Sequence, residues 1–137
     1  YRKDWLFNCF INKVLPNFSN KDPSLALLGL AYKENTHSTK NSPSVNFLKK
    51  VNLKNIKVHD PEVPWGNNVK YKRVEEVREC IDESEVLIVA TPWEEYKQIS
   101  AVELLGLMKT KYILDPYRIL NGSKLIELGF QYFTLGK

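Results

Sequence analysis

The sequence is poor in the residues that carry much of soluble enzyme chemistry. Its 137 residues hold two cysteines, two histidines and one methionine. Cys9 and Cys80 lie far apart, outside any C-x-x-C or Cys/His spacing, which argues against a disulfide framework and a zinc site. That cysteine usage fits a reducing cytoplasm. No apolar run approaches the roughly 18 residues a membrane span needs. The six glycines nowhere form G-x-G-x-x-G, so the usual dinucleotide cradle is missing. The net charge of +4 is scattered rather than gathered in a basic stripe with interleaved aromatics, and nucleic-acid binding is not predicted. No signal peptide is visible. The chain begins at Tyr1, which reads as a piece of something longer.

The stretch from Leu25 to Pro43 is the most informative part of what is present. An apolar run ends at Gly29, a polar loop carrying Lys33 and Lys40 follows, and Ser42-Pro43 opens a helix. Ser suits the N-cap and Pro the first helical position. A strand end, cationic side chains and unpaired helix N–H groups at one mouth suit an anion such as phosphate. A solvated loop with two surface lysines is the plainer alternative, and both stay open on the residues alone.

Elsewhere short apolar runs alternate with helical patterns. Residues 3–15 read as a helix stopped by Pro16, and Ile56–His59 as a second strand stopped by Asp60-Pro61. Residues 62–70 read as a surface loop. Val74, Val77 and Ile81 line one face of a short helix. Val86–Ala90 is a third strand, with one helical turn around Trp93–Tyr96 after it. Ser100 and Glu103 form a capping-box pattern ahead of Leu104. Tyr112–Leu114 is a fourth strand, Ser123–Leu128 a helix with Gly129 as its stop, and 131–135 a last strand. The first strand, Leu25–Leu30, lacks polar/apolar alternation, as expected for a strand buried on both faces. The prediction is an α/β fold: a three-layer, Rossmann-like parallel sheet with helices on both faces. Right-handed crossovers then bring Asp60-Pro61, Thr91-Pro92, Asp115-Pro116 and the loop after Gly29 to one rim.

Several residues have two readings. His37 is a general base or an idle loop histidine. Asp60 is a ribose acceptor or a turn-starting aspartate. Arg118 forks onto phosphate or sits exposed in a turn. Glu94 and Glu95 are expected to face water, His59 to pack or cap, and Cys9 and Cys80 to pack.

Taken in order, these segments resemble the UDP-binding C-terminal domain of the UDP-glucose/GDP-mannose dehydrogenase family. Leu28-Gly29-Leu30-Ala31-Tyr32-Lys33 resembles its Leu-Gly-Leu-Ala-Phe-Lys, and Lys40-Asn41-Ser42-Pro43 its Arg-Glu-Ser-Pro. His59-Asp60-Pro61 resembles Tyr-Asp-Pro, and Asp115-Pro116-Tyr117-Arg118-Ile119-Leu120 resembles Asp-Gly-Arg-Asn-Ile-Leu. The resemblance implies a nucleotide-sugar 6-dehydrogenase that oxidises a sugar C6 alcohol to a carboxylate with NAD. It implies substrate binding by Tyr32, Lys33, Tyr117 and Arg118, and an NAD contact from Lys40. Residues 1–16 would be the end of a helix from a central domain, and 17–137 the UDP-binding domain. The catalytic cysteine, the main NAD site and the homodimer contact would belong to regions outside this sequence, so the chain alone would do no chemistry. Lys40 replaces an arginine, Pro116 a glycine, and the family arginine aligns with Tyr117, with Arg118 one place later. Those departures leave a second class open: a non-catalytic α/β assembly module with a degraded pocket.

Overall fold

The computed structural model describes residues 2–31, 39, 42–66 and 70–135. Six strands form one parallel sheet: β1 (Leu25–Leu28), β2 (Ile56–His59), β3 (Lys72–Arg73), β4 (Val86–Val89), β5 (Tyr112–Leu114) and β6 (Gln131–Phe133). Their spatial order is β3-β2-β1-β4-β5-β6. Winding runs outward from β1 to β3, then returns to β4 on the other side of β1. The β1/β4 boundary is therefore the point where strand order reverses, and there the strand ends leave a crevice. All four residues of β1 and of β4 are buried, which explains why neither alternates in polarity.

Among the described residues the α-helices are α1 (Arg2–Cys9), α2 (Pro43–Lys50), α3 (Val77–Ile81), α4 (Ala101–Leu107) and α5 (Gly122–Glu127). Right-handed crossovers put α2 on one face of the sheet and α3, α4 and α5 on the other. The predicted caps are present. Ser42 accepts from Val45 N–H with Pro43 in the first turn, and Ser100 and Glu103 close a reciprocal capping box. Gly129 takes the left-handed conformation, at φ +94°, that ends α5.

Two expectations change. Pro16 does not stop the first helix. The chain loosens to a π turn over Phe10–Val14 and tightens to a 3-10 turn over Leu15–Asn17. Pro16 sits in the first positions of that 3-10 turn, where its missing N–H is not needed. The edge strand β3, only Lys72–Arg73, went unpredicted because two charged residues carry no apolar pattern. The N-terminal helix joins the core: Phe7 and Phe10 meet Phe47 of α2 edge-on, at centroid distances of 6.4 and 5.6 Å. Asp4 bonds Lys50 at 2.9 Å and Asn46 at 3.1 Å on the same seam.

Gly29 fixes how closely the two strand ends at the reversal approach. Its φ is +104°, and a Cβ there would overlap Thr91 Cβ and Oγ1 and lie 2.7 Å from Thr91 N. Gly29→Ala therefore combines backbone strain with overpacking against a buried neighbour. A loss of about 2–4 kcal/mol is expected in the denaturant midpoint at unchanged m-value.

Candidate functional site: the strand-end rim

Asp60 organises the rim. It follows β2 and is buried, at 5% exposure. Its Oδ2 accepts from Leu30 N–H (2.7 Å), Ala31 N–H (3.1 Å) and the Trp93 indole N–H (3.2 Å). Its Oδ1 accepts from Glu62 N–H (2.8 Å) and Val63 N–H (2.7 Å). One carboxylate thus ties together the exits of β1, β2 and β4. Thr91 adds a second tie, its hydroxyl donating to Ala31 O at 2.9 Å. A carboxylate offers about four acceptor positions, and five donors fill this one. Asp60 has no capacity left for a ribose hydroxyl. The turn reading was right as far as Glu62 and Val63, but it missed the bonds to Leu30, Ala31 and Trp93.

His59 stands beside it and is 4% exposed. Its Nδ1 lies 2.9 Å from the Tyr96 hydroxyl, which is also 3.1 Å from His59 O. Its Nε2 lies 3.7 Å from Glu95 Oε2, whose side chain is half exposed. Burial lowers the imidazole pKa below 6.5. The charges of Glu95 and Asp60 work against that shift, and Arg73 works with it. The packing role expected of His59 holds, and Glu94 and Glu95 are exposed as expected.

On the other side of the reversal, Asp115 follows β5 and is fully buried. It accepts from Ile119 N–H (3.3 Å), Leu120 N–H (2.9 Å) and the Tyr132 hydroxyl (2.7 Å). Burial raises its pKa above 3.8 and the hydrogen bonds oppose that. Arg118 N–H donates to Asp115 O at 3.2 Å, so residues 115–120 wrap tightly around this carboxyl. Arg118 takes a left-handed backbone at φ +56°, which costs a non-glycine residue roughly 1–2 kcal/mol. Tyr117, next to it, is 40% exposed. The rim therefore places Tyr117 and Arg118 together on one tight turn. Tyr32, Lys33, Lys40 and His37 lie outside the described residues. Their flanks are defined: Ala31 is held by Asp60 and Thr91, and Ser42 caps α2.

Both thiols are buried. Burial pushes Cys9 up to about 11 and Cys80 up to about 12. The thiolate is therefore the disfavoured form of both at neutral pH. Among the described residues no group of three metal-ligating side chains forms, and no helix is long and apolar enough to cross a membrane. A groove of about 470 Å³ lies at the opposite ends of the strands, lined by Lys54, Lys57 and Lys72. The Lys57 ammonium there is already bound to Glu79 O and Asp82 O, both at 2.8 Å.

Sequence reasoning missed Asp60 as a three-way tie, the Tyr132–Asp115 bond, and the Arg73–Trp65 pair, in which the guanidinium carbon of Arg73 lies 4.9 Å from the indole centroid. The recurring Asp-Pro after a strand signalled only the local bonds, from Glu62 and Val63 to Asp60 and from Ile119 and Leu120 to Asp115.

Comparison with known proteins follows from this geometry. The family model described as the UDP-binding domain of the UDP-glucose/GDP-mannose dehydrogenase family matches residues 26–122. A UDP-glucose 6-dehydrogenase of Rickettsia conorii is 28% identical over 124 residues, covering 85% of this chain and 28% of that protein. UDP-glucose 6-dehydrogenase 4 of Arabidopsis thaliana is 24% identical over 164 residues, covering 98% of this chain and 34% of that protein. The chain thus spans about a third or less of the length of these relatives. In fold it is similar to the NDP-N-acetyl-D-galactosaminuronic acid dehydrogenase of Methanosarcina mazei, with a TM-score of 0.83 at 20% identity over 98% of this chain and 29% of that one.

The buried imidazole sets a pH dependence. With a folded pKa below the unfolded 6.5, the unfolded chain binds more protons between the two values. His59 therefore contributes stability that is present above 6.5 and lost as pH falls toward its folded pKa. Asp115, whose pKa is raised by burial, acts in the opposite sense as pH rises above 3.8. Denaturation midpoints should fall from about pH 7.5 to 5.5, and His59→Gln should flatten that slope. An equal slope in the variant removes His59 as its source.

Proposed function

The chain belongs to the UDP-glucose/GDP-mannose dehydrogenase family, as its UDP-binding domain, and from that premise we propose that it holds the UDP part of the substrate of an NAD-dependent nucleotide-sugar 6-dehydrogenase. The observation that carries this reading is the turn after β5. Asp115 is spent inward on its own loop, and the loop keeps Arg118 in a costly backbone conformation on the rim. Backbone strain held by a buried network is a mark of a functional position. An arginine there suits a diphosphate, since its planar donors can fork onto two oxygens.

The roles are those the family resemblance implies. Arg118 and Tyr117 contact UDP from the β5 side, and Tyr32 and Lys33 contact it from the β1 side. Lys40 reaches toward NAD, with the charge of an arginine but not its fork. A whole dinucleotide does not fit the crevice in the usual way. Its ribose acceptor, Asp60, is saturated, and the β1 exit has a single glycine pressed against Thr91. NAD would accordingly be held mainly outside this chain. With both thiols neutral, the chain contributes binding and not covalent chemistry. Remote binding of UDP holds the sugar in register with reacting groups on another domain. In that arrangement residues 1–16 lead in from a central domain, 17–137 form the UDP-binding unit, and the intact protein works in the cytoplasm as a homodimer.

The second reading is an assembly module with a degraded pocket. Pro116 and Tyr117 favour it, since they stand where the family has glycine and arginine.

The test separates strain from function at one residue. Arg118→Gly relieves the left-handed backbone and removes the guanidinium. Thermal stability should stay within about 1 kcal/mol of the parent. UDP affinity, followed by amide chemical-shift titration, should fall roughly tenfold or more, and Lys33→Ala should lower it likewise. An Arg118→Gly protein that binds UDP as the parent does removes this turn from the site. A parent that shows no UDP-induced shifts at residues 115–120 favours the assembly module.

A further inference from the structure

Tyr132 of β6 touches both ends of the turn that follows β5. At the near end its hydroxyl donates to Asp115 Oδ2 at 2.7 Å. At the far end its ring lies against Gly122, the first residue of α5. A Cβ there would stand 2.6 Å from Tyr132 Cε2 and 3.0 Å from Cζ. The main chain anchors the same contact, since Asp115 N–H donates to Phe133 O at 2.8 Å. Between the two ends, Ile119 and Leu120 donate to the Asp115 carboxylate, and Arg118 keeps its left-handed backbone. A backbone conformation that costs free energy persists where its surroundings hold it. Asp115 and Tyr132 supply that hold from outside the strained residue.

Ionised, the carboxylate accepts charge-assisted bonds from Tyr132, Ile119 and Leu120. Protonation would put an O–H among these donors and weaken the set. Burial favours the protonated form, and the donors oppose it, Tyr132 among them. Among the described residues, the ionisable groups acting on this pair are Asp115 and Tyr132 themselves and Arg118.

We propose that Tyr132 is a positioning residue for nucleotide binding, which sets the turn that presents Tyr117 and Arg118 and does so through an ionised Asp115. This rests on the UDP reading above. Affinity is thereby linked to the proton of a carboxyl too buried to touch the ligand. The sign is fixed by the donors. Removing the Tyr132 hydroxyl takes one of them from the carboxylate, so Asp115 protonates at higher pH. UDP binding should then fail at higher pH in Tyr132→Phe than in the parent.

Amide-shift titrations of the 137-residue chain with UDP, from neutral pH downward, test this. The ratio of parent to variant affinity cancels the titration of UDP itself. At neutral pH Tyr132→Phe should bind UDP roughly twofold to tenfold more weakly, the size of one ordinary hydrogen bond. The deficit should widen as pH falls. Asp115→Asn, which cannot titrate and leaves His59 in place, should lack that pH step. Gly122→Ala crowds the ring from the other end with the hydroxyl intact, and should also weaken UDP. The Asp115 carboxyl carbon shift reads the pair without ligand, and its midpoint should move up in Tyr132→Phe. If parent and Tyr132→Phe bind UDP equally at every pH, the tyrosine does not position the turn and the proposal is overturned while the UDP reading stands. A deficit of the same size at every pH, or an Asp115 midpoint that does not move, also overturns it. If UDP shifts no amide at residues 115–120 of the parent, both readings fall.

Discussion

The rim depends on one buried carboxylate with more donors than it has places for. Leu30, Ala31 and Trp93 reach Asp60 from one side, Glu62 and Val63 from the other. A hydrogen bond to a charged group is worth about 1.5–3 kcal/mol net, and an orphaned buried donor costs a similar amount. No neutral side chain of the same shape can replace it. An asparagine amide can accept on one edge only, and its NH₂ would face donors on the other. The exits of β1, β2 and β4 are therefore fixed relative to each other by a charge and not by packing alone.

Asp115 repeats the device on the far side of the strand reversal, with a different consequence. Its bonds stay within the 115–120 turn and β6, so it shapes a loop instead of joining strands. Between the two carboxylates lies the close approach of Gly29 to Thr91. Both Asp60 and Asp115 are turned inward. Among the described residues that face outward here are Tyr117 and Arg118 beyond β5, Trp65 beyond β2, and the carboxylates of Glu62, Glu94 and Glu95.

The sheet was legible because its strands announce themselves. β2 and β5 each run straight into Asp-Pro, and β1 and β4 are unbroken apolar runs, so the parallel alternation could be read with few boundary errors. β3 was invisible, since Lys72–Arg73 is a strand only by virtue of its neighbour β2. With it went the Arg73–Trp65 pair, whose members belong to a turn and an edge. Asp60 was legible as a turn former, because Glu62 and Val63 are local. Its hold on Leu30 and Ala31 spans some thirty residues of sequence, and only the β1–β2 register brings them together. The run through Pro16 was misread for a related reason: proline forbids an internal α-helical bond but not a change to 3-10 winding.

Amide and indole hydrogen exchange in Asp60→Asn tests the tie directly. The account predicts that Leu30 and Ala31, or Glu62 and Val63, lose protection as a group, whichever edge the new amide fails to satisfy. The β5 and β6 amides should keep theirs. Unchanged protection at all four amides and at the Trp93 indole would contradict it, and the rim would then be held by packing without the charge.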